Sequence, residues 1–145
     1  FFRRTLEMER HLILAISYEL ATSQEGTREY QLLSEIIKNS RGFSFVMNAP
    51  GGQSGSSVKL SGEELTEAVQ RTQRLLRQAN NPSAIAIVCG ISSADDIAKV
   101  RASGAESFMI GSAYIDKLLK GASLETVSDY VKGIKAITLP RGCSH

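Results

Sequence analysis

The chain has 145 residues, 42% hydrophobic and 22% charged, enough for one domain with a real core. Seventeen Lys and Arg against fifteen Asp and Glu leave a net charge of +2, too little for a broad field toward nucleic acid or anionic lipid, and no apolar run is long enough to predict a membrane span. Cys89 and Cys143 form no CxxC pair and His11 and His145 lie near opposite ends, so no metal-ligand cluster can be drawn; a reduced, cytoplasmic protein with no metal and no cofactor is expected.

In chain order, "FFRRTLEMERHL" is charged after its first two residues and holds no apolar signal segment. Its start at Phe1 instead of Met suggests a piece of something longer, or a processed product. The short apolar run from Leu12 to Ser17 reads as a buried strand, followed by a polar stretch, "YELATSQEGTR". "EYQLLSEIIKNS" then places Leu32, Leu33, Ile36 and Ile37 at helical spacing, with Lys38 in the last turn where a cation suits the helix dipole. "GFSFVM" (42–47) is the second strand, and the Gly-rich interval "NAPGGQSGSSVKLSG" ends where Glu63 and Glu64 open a long helix carrying Leu65, Val69, Leu75 and Leu76. After an "NNPS" turn, "AIAIV" (84–88) is the third strand. Ser92 or Ser93 can cap the next helix, whose first turn holds Asp95 and Asp96 and which ends at Gly104. "SFMI" is the fourth strand, "SAYIDKLLKG" a short helix, and "SLETVSDYVKGIKAIT" a final helix capped by Ser123. An irregular tail at 139–145 follows the domain of residues 1–138.

Strands separated by helical segments of this length predict an α/β fold with a parallel sheet and right-handed crossovers. A closed eight-stranded barrel needs roughly 250 residues. Four strand-helix units therefore supply about half of one, or else fold as a small open sheet. A half barrel exposes strand edges and helix faces that demand covering, so pairing with another half barrel or an N-terminal segment is expected.

In parallel α/β folds ligands sit at the carboxyl ends of the strands, and the small residues cluster at those ends: "GGQSG", "CGISS" and "GSA". Gly lets backbone N–H groups approach a ligand, and helix N-termini aim free donors and a positive dipole at the same place. Three such sources converging would bind a phosphate without a Lys or Arg. Gly111 and Ser112 are then small because an anion occupies the space. Each piece also has a plainer reading: "GGQSG" as a flexible loop, Gly90 as a strand end, Ser112 as an N-cap. Glu19 reads as an exposed loop acid, Asp95 and Asp96 as first-turn helix acids, and Asp116 as a surface residue. Cys89, with no His nearby in sequence, reads as a structural thiol. His11 reads as a surface residue, and Arg71, Arg74 and Arg77 as a solvated stripe.

The run from about Leu12 to Thr138 resembles the C-terminal half of the tryptophan synthase alpha chain, a (β/α)₈ barrel. The motifs that carry the likeness are "GFSFVMNAPGGQSG", similar to the family's Gly-aromatic-x-aromatic followed by Gly-Val-Thr-Gly; "VCGIS", similar to its Gly-Phe-Gly-Ile-Ser; and "IGSAY", similar to its Gly-Ser-Ala. The resemblance implies a lyase of tryptophan biosynthesis that splits indole-3-glycerol phosphate into indole and glyceraldehyde 3-phosphate. It would pass the indole to a beta chain in a heterotetramer. It further implies that Gly55, Gly90, Gly111 and Ser112 donate to the substrate phosphate and that Ser54 stands where a loop Thr helps order the active-site lid. Together with Gly52 these form the expected phosphate-binding set, with Phe45, Cys89 and Met109 at the substrate pocket. Three departures stand out. One extra residue lies between Asn48 and Gly55, Phe45 replaces a substrate-contacting Tyr, and Val88-Cys89 replaces Gly-Phe. The family's two catalytic carboxylates belong to early strands and loops that no segment here matches. A non-catalytic alpha-like module that binds or activates a beta-type chain is therefore the second reading. Another phosphate-barrel enzyme, such as an epimerase or a prenyl-glyceryl phosphate synthase, is the third.

Overall fold

The computed structural model describes residues 13–50 and 58–138. Four strands and six helices follow one another as β1 (Ala15–Ile16), α1 (Tyr18–Ala21), α2 (Arg28–Asn39), β2 (Phe43–Met47), α3 (Gly62–Gln78), β3 (Ala84–Val88), α4 (Ala94–Ser103), β4 (Ser107–Phe108), α5 (Ser112–Leu119) and α6 (Leu124–Thr138). The strands form one parallel sheet in the order β1-β2-β3-β4. Because each strand pairs with its successor and crossovers of this kind are right-handed, the connecting helices stack on one face and, among the described residues, leave the other uncovered.

The pleat separates the two faces. Ile16, Val46, Ile87 and Phe108 form one row across all four strands, and Ala15, Phe45, Ala86 and Ser107 form the adjacent row on the opposite face. The first row meets the helices. Ile16, Val46, Ile85 and Ile87 are fully buried with Leu33, Leu65, Val69 and Ile97 in a single core cluster. On the second face Phe43 stays 41% exposed and Met109, just past β4, 54% exposed. Burying large aliphatic side chains of the first set contributes about 1.5–3 kcal/mol each, so the helical face holds the fold together.

Local chemistry explains the helix boundaries. Ser17, Thr27, Ser61, Ser93 and Ser123 each accept a hydrogen bond from a backbone N–H in the first turn of α1, α2, α3, α4 and α6. At α3 and α4 the cap is reciprocal, with Glu64 and Asp96 reaching back to the backbone of Ser61 and Ser93. Gly104 closes α4 in the left-handed conformation at φ 85°. The final helix begins on Ser123, as its sequence predicts.

Three sequence-based expectations shift. The stretch after β1 is a helical turn at Tyr18–Ala21, because Ser17 caps it locally, and the exposed Glu19 lies on that turn. The outer strands are short, Ala15–Ile16 and Ser107–Phe108, although Leu14, Glu106 and Met109 also make backbone hydrogen bonds to the neighbouring strands. Arg71 lies half-buried and donates to the Ser23 carbonyl oxygen, joining α3 to the α1–α2 connection, whereas Arg74 and Arg77 are exposed. Residues 139–145 lie outside the described residues.

Candidate anion cleft at the strand ends

Beyond the C-terminal ends of β3 and β4 a cleft of about 370 Å³ is lined by Lys59, Gly90, Ile91, Ser92, Ser112, Ala113 and Asp116. Gly90 and Ser112 are thus brought together. Gly111 adjoins them as the first residue flanking α5. Gly52, Ser54 and Gly55 lie outside the described residues.

The α5 end of the cleft follows from its sequence. Gly111 occupies the N-cap position and, among the described residues, no side chain caps the helix. Gly111 and Ser112 are exposed. The first N–H groups of a helix have no intrahelical acceptor, so the start of α5 presents backbone donors with a positive dipole behind them. A methyl group built on Gly111 meets nothing within 4 Å, although φ −124° with ψ −73° lies outside the main allowed backbone regions. No described neighbour therefore requires glycine there. Ser112 is the first residue of the helix, so its hydroxyl does not act as the N-cap.

The β3 end is built differently. Cys89 and Gly90 both take left-handed backbone, at φ 67° and 68°, so the chain turns sharply as the strand finishes. For a cysteine this conformation is uncommon and strained. Cys89 is half-buried, and burial pushes its thiol up, away from a reactive thiolate. Over Gly90 runs the side-chain stem of Lys59, whose Cγ would lie 3.4 Å from an added methyl. Lys59 is brought there by the chain returning along the end of β2. The buried Leu60 donates its N–H to the Asn48 carbonyl oxygen at 3.3 Å, and Asn48 donates to Val88 at 2.9 Å. The Asn48 side chain is buried, and its Oδ1 has no partner among the described residues.

Sequence reading treats Asp96 as an ordinary first-turn acid, but it is only 4% exposed and is the hub of the turn. One oxygen, Oδ2, accepts from Lys59 Nζ at 2.7 Å, from the Ser92 and Ser93 N–H groups at 2.9 Å each, and from the Ser93 hydroxyl at 2.8 Å. Burial pushes the carboxyl up, yet the hydrogen bonds from Lys59, Ser92 and Ser93 and the lysine charge outweigh it and hold it at about 2. Lys59 Nζ also lies 3.3 Å from Ser92 Oγ. The sequence signal for this hub was the Ser-x-x-Asp spacing of a capping box; nothing local announced Lys59, which is 37 residues away.

Asp116, the acid that lines the cleft, is exposed and ion-paired with Lys120 at 2.7 Å. Lys59, the cation that lines the cleft, is thus balanced by Asp96. Phe45 and Met109, expected at a substrate pocket, belong to the uncovered face of the sheet, and neither they nor Cys89 line the cleft. A larger hollow of about 520 Å³ lies at the other end of β4, against Arg101, Glu106 and Thr138. It faces the start of the strand, away from the helix N-termini. Among the described residues no three His, Cys, Asp or Glu side chains gather as metal ligands, and no helix is long and apolar enough to cross a membrane.

No family model matches the chain, and no curated protein matches it.

Proposed function

We propose that the chain is the phosphate-anchoring half of a (β/α)₈ barrel of the tryptophan synthase alpha type, holding a phosphorylated small molecule such as indole-3-glycerol phosphate in the cleft between Gly90 and Ser112. The observation that carries the reading is the start of α5, where Gly111 leaves backbone donors uncapped at the C-terminal end of a parallel sheet, opposite the turn after β3. The sequential strand order, with helices on one face, supports the half-barrel architecture, and the uncovered face with Phe43 and Met109 supports a completing partner.

Anchoring alone does not cleave a carbon–carbon bond; the reaction needs a general acid and base around the indole ring. Asp96 holds its carboxyl at about 2 and remains ionised, so it does not donate a proton near neutral pH. In this proposal the acid and base come from a second segment or polypeptide, and the described residues bind and orient the phosphate. That same feature favours, as the second reading, a non-catalytic alpha-like module that engages a beta-type chain.

The test is calorimetric titration of the chain with inorganic phosphate and glyceraldehyde 3-phosphate, beside turnover of indole-3-glycerol phosphate with and without added beta chain. Binding of both phosphates supports the anchoring role, and turnover stimulated by the beta chain supports the lyase. Binding without turnover under either condition favours the module. Absence of phosphate binding overturns the anchoring role.

A further inference from the structure

We propose that the uncovered face of the sheet is a dimerisation surface, on which a second copy of this chain closes a ring of eight parallel strands. The inference rests on the half-barrel architecture of the reading above and not on phosphate binding. The chemistry of the face is the first argument. Its strand positions carry no charge: β2 presents Phe43, Phe45 and Met47, and Ala15, Ala86 and Ser107 lie in one row with Phe45. Phe43 and Met109 are exposed there, and purely parallel sheets occur almost only with both faces covered. What covers this face must itself be apolar, and the face is its own complement.

Strand number and direction name the occupant. Among the described residues β1 and β4 each have one neighbour, which leaves two free edges. A parallel sheet closes on itself at eight strands, where side chains just fill the interior, and two copies of this four-stranded sheet supply that number. Half a turn about the axis of the ring keeps every strand running the same way. Strand β4 of each copy then lies beside β1 of the other, and two identical contacts satisfy both edges at once. Each β2 faces the copy's β2 across the ring, bringing the two Phe45 rings toward the axis, with Ala15 and Ala86 leaving room beside them. No other part of this chain fits the face: the stretches outside the described residues, 1–12, 51–57 and 139–145, are each shorter than the roughly 30 residues of one strand-helix-strand unit.

Helix α6 points the same way. It lies beside α4 at the β4 end of the helical layer, where Arg101 donates to the Ile137 carbonyl oxygen at 2.7 Å. Its apolar residues Leu124, Val127, Val131 and Ile134 recur at helical spacing, yet none is buried. Ile134 reaches the core, while Leu124 and Val131 stay exposed. In the closed ring the copy's β1 and α2 come next, and α2 offers the exposed Leu32.

Sedimentation equilibrium of the full chain across micromolar concentrations, with peptide-level hydrogen exchange and phosphate titration on the same samples, tests the inference. A species of twice the 15.7 kDa chain mass is expected, with the backbone amides of β1 and β4 gaining protection as it forms. Phe43→Glu and Met109→Glu each put a carboxylate on the face at a side chain that is exposed in the single chain. Both variants should stay folded while the dimer dissociation constant rises at least about tenfold, because closure would bury an unpaired charge. Val131→Glu should weaken the dimer in the same direction. A chain that stays monomeric at every concentration overturns the inference without any variant and leaves the face to a different polypeptide; if it still binds phosphate, the anchoring reading stands. A dimer whose β1 and β4 amides stay unprotected, or one indifferent to both Phe43→Glu and Met109→Glu, overturns it as well. A dimer that behaves as expected and binds no phosphate supports the inference and brings down the anchoring reading alone.

Discussion

The Tyr130 hydroxyl donates to the Ser92 carbonyl oxygen at 2.9 Å, joining the last helix to the turn that borders the cleft, 38 residues earlier in the chain. The Tyr130 ring is fixed in turn: Tyr114 meets it edge-on with centroids 5.5 Å apart, and Lys117 Nζ lies 4.4 Å from its centre. Burial, then Tyr114 and Asp96, push the phenol up, which keeps it protonated as a donor near neutral pH. Tyr130→Phe should lower stability by about 0.5–1.5 kcal/mol and weaken phosphate binding a few-fold, because the ring contacts survive and only the tie to Ser92 is lost. Urea unfolding and phosphate titration of the variant measure both effects. A variant with unaltered stability and affinity would show the tie to be dispensable.

Gly111→Val separates binding from folding. An added methyl meets nothing within 4 Å, but φ −124° with ψ −73° lies outside the main allowed regions, so the melting temperature should fall modestly while the fold is kept. The isopropyl group would project beside the first N–H groups of α5, and phosphate affinity should fall at least about tenfold if those donors hold it. Retained affinity in a folded variant would remove α5 from the site.

Gly90→Ala should behave in the opposite way. At φ 68° alanine is strained, at a cost of about 1–2 kcal/mol. Its methyl would also touch the Lys59 stem at 3.4 Å and the Asn48 carbonyl oxygen at 3.5 Å. Stability and phosphate affinity should fall together, which thermal melts and titration on the same preparation would reveal.

Asp96 gives a pH signature whose sign is set by its lowered carboxyl. With the folded value at about 2 and the ordinary value at 3.8, its contribution is complete above about pH 5, shrinks as the pH falls through 3.8, and is gone below about 2. The contribution at neutral pH is about 2 kcal/mol. Urea unfolding at pH 7, 4 and 3 should show the gap between the parent and Asp96→Asn narrowing in that order. A gap that stays constant across the series would place the stabilisation elsewhere.

Leu65→Ala probes the core on which the sheet rests. Leu65 is fully buried on α3 among the side chains that cover β2 and β3. Loss of its isobutyl group should cost about 2–5 kcal/mol, read as a lower urea midpoint with phosphate affinity unchanged in the folded fraction.

How far the sequence could be read depended on whether its signals were local. Strand β3 agrees residue for residue with "AIAIV", and the caps at Ser93 and Ser123 follow from a hydroxyl placed just before a helical run. Leu33, Ile36 and Ile37 are buried as their spacing predicts, while Leu32 in the same pattern remains 50% exposed at the margin of the helix face. At the cleft, Gly90, Gly111 and Ser112 were legible because small residues at the ends of parallel strands are a local pattern. Lys59 was not, because its role depends on Leu60 bonding to Asn48 and on Asp96 arriving from another helix.

By itself the sequence determined the alternation of strands and helices, the apolar faces that pair them, and the small residues at the strand ends. These depend on residues within a few positions of one another. Only the tertiary structure decided which strand ends share a cleft, that the donors around Ser92 are already taken by Asp96, and that Phe45 and Met109 belong to the uncovered face. Such outcomes depend on which distant groups compete for the same hydrogen-bond donors, and that competition exists only once the chain has folded.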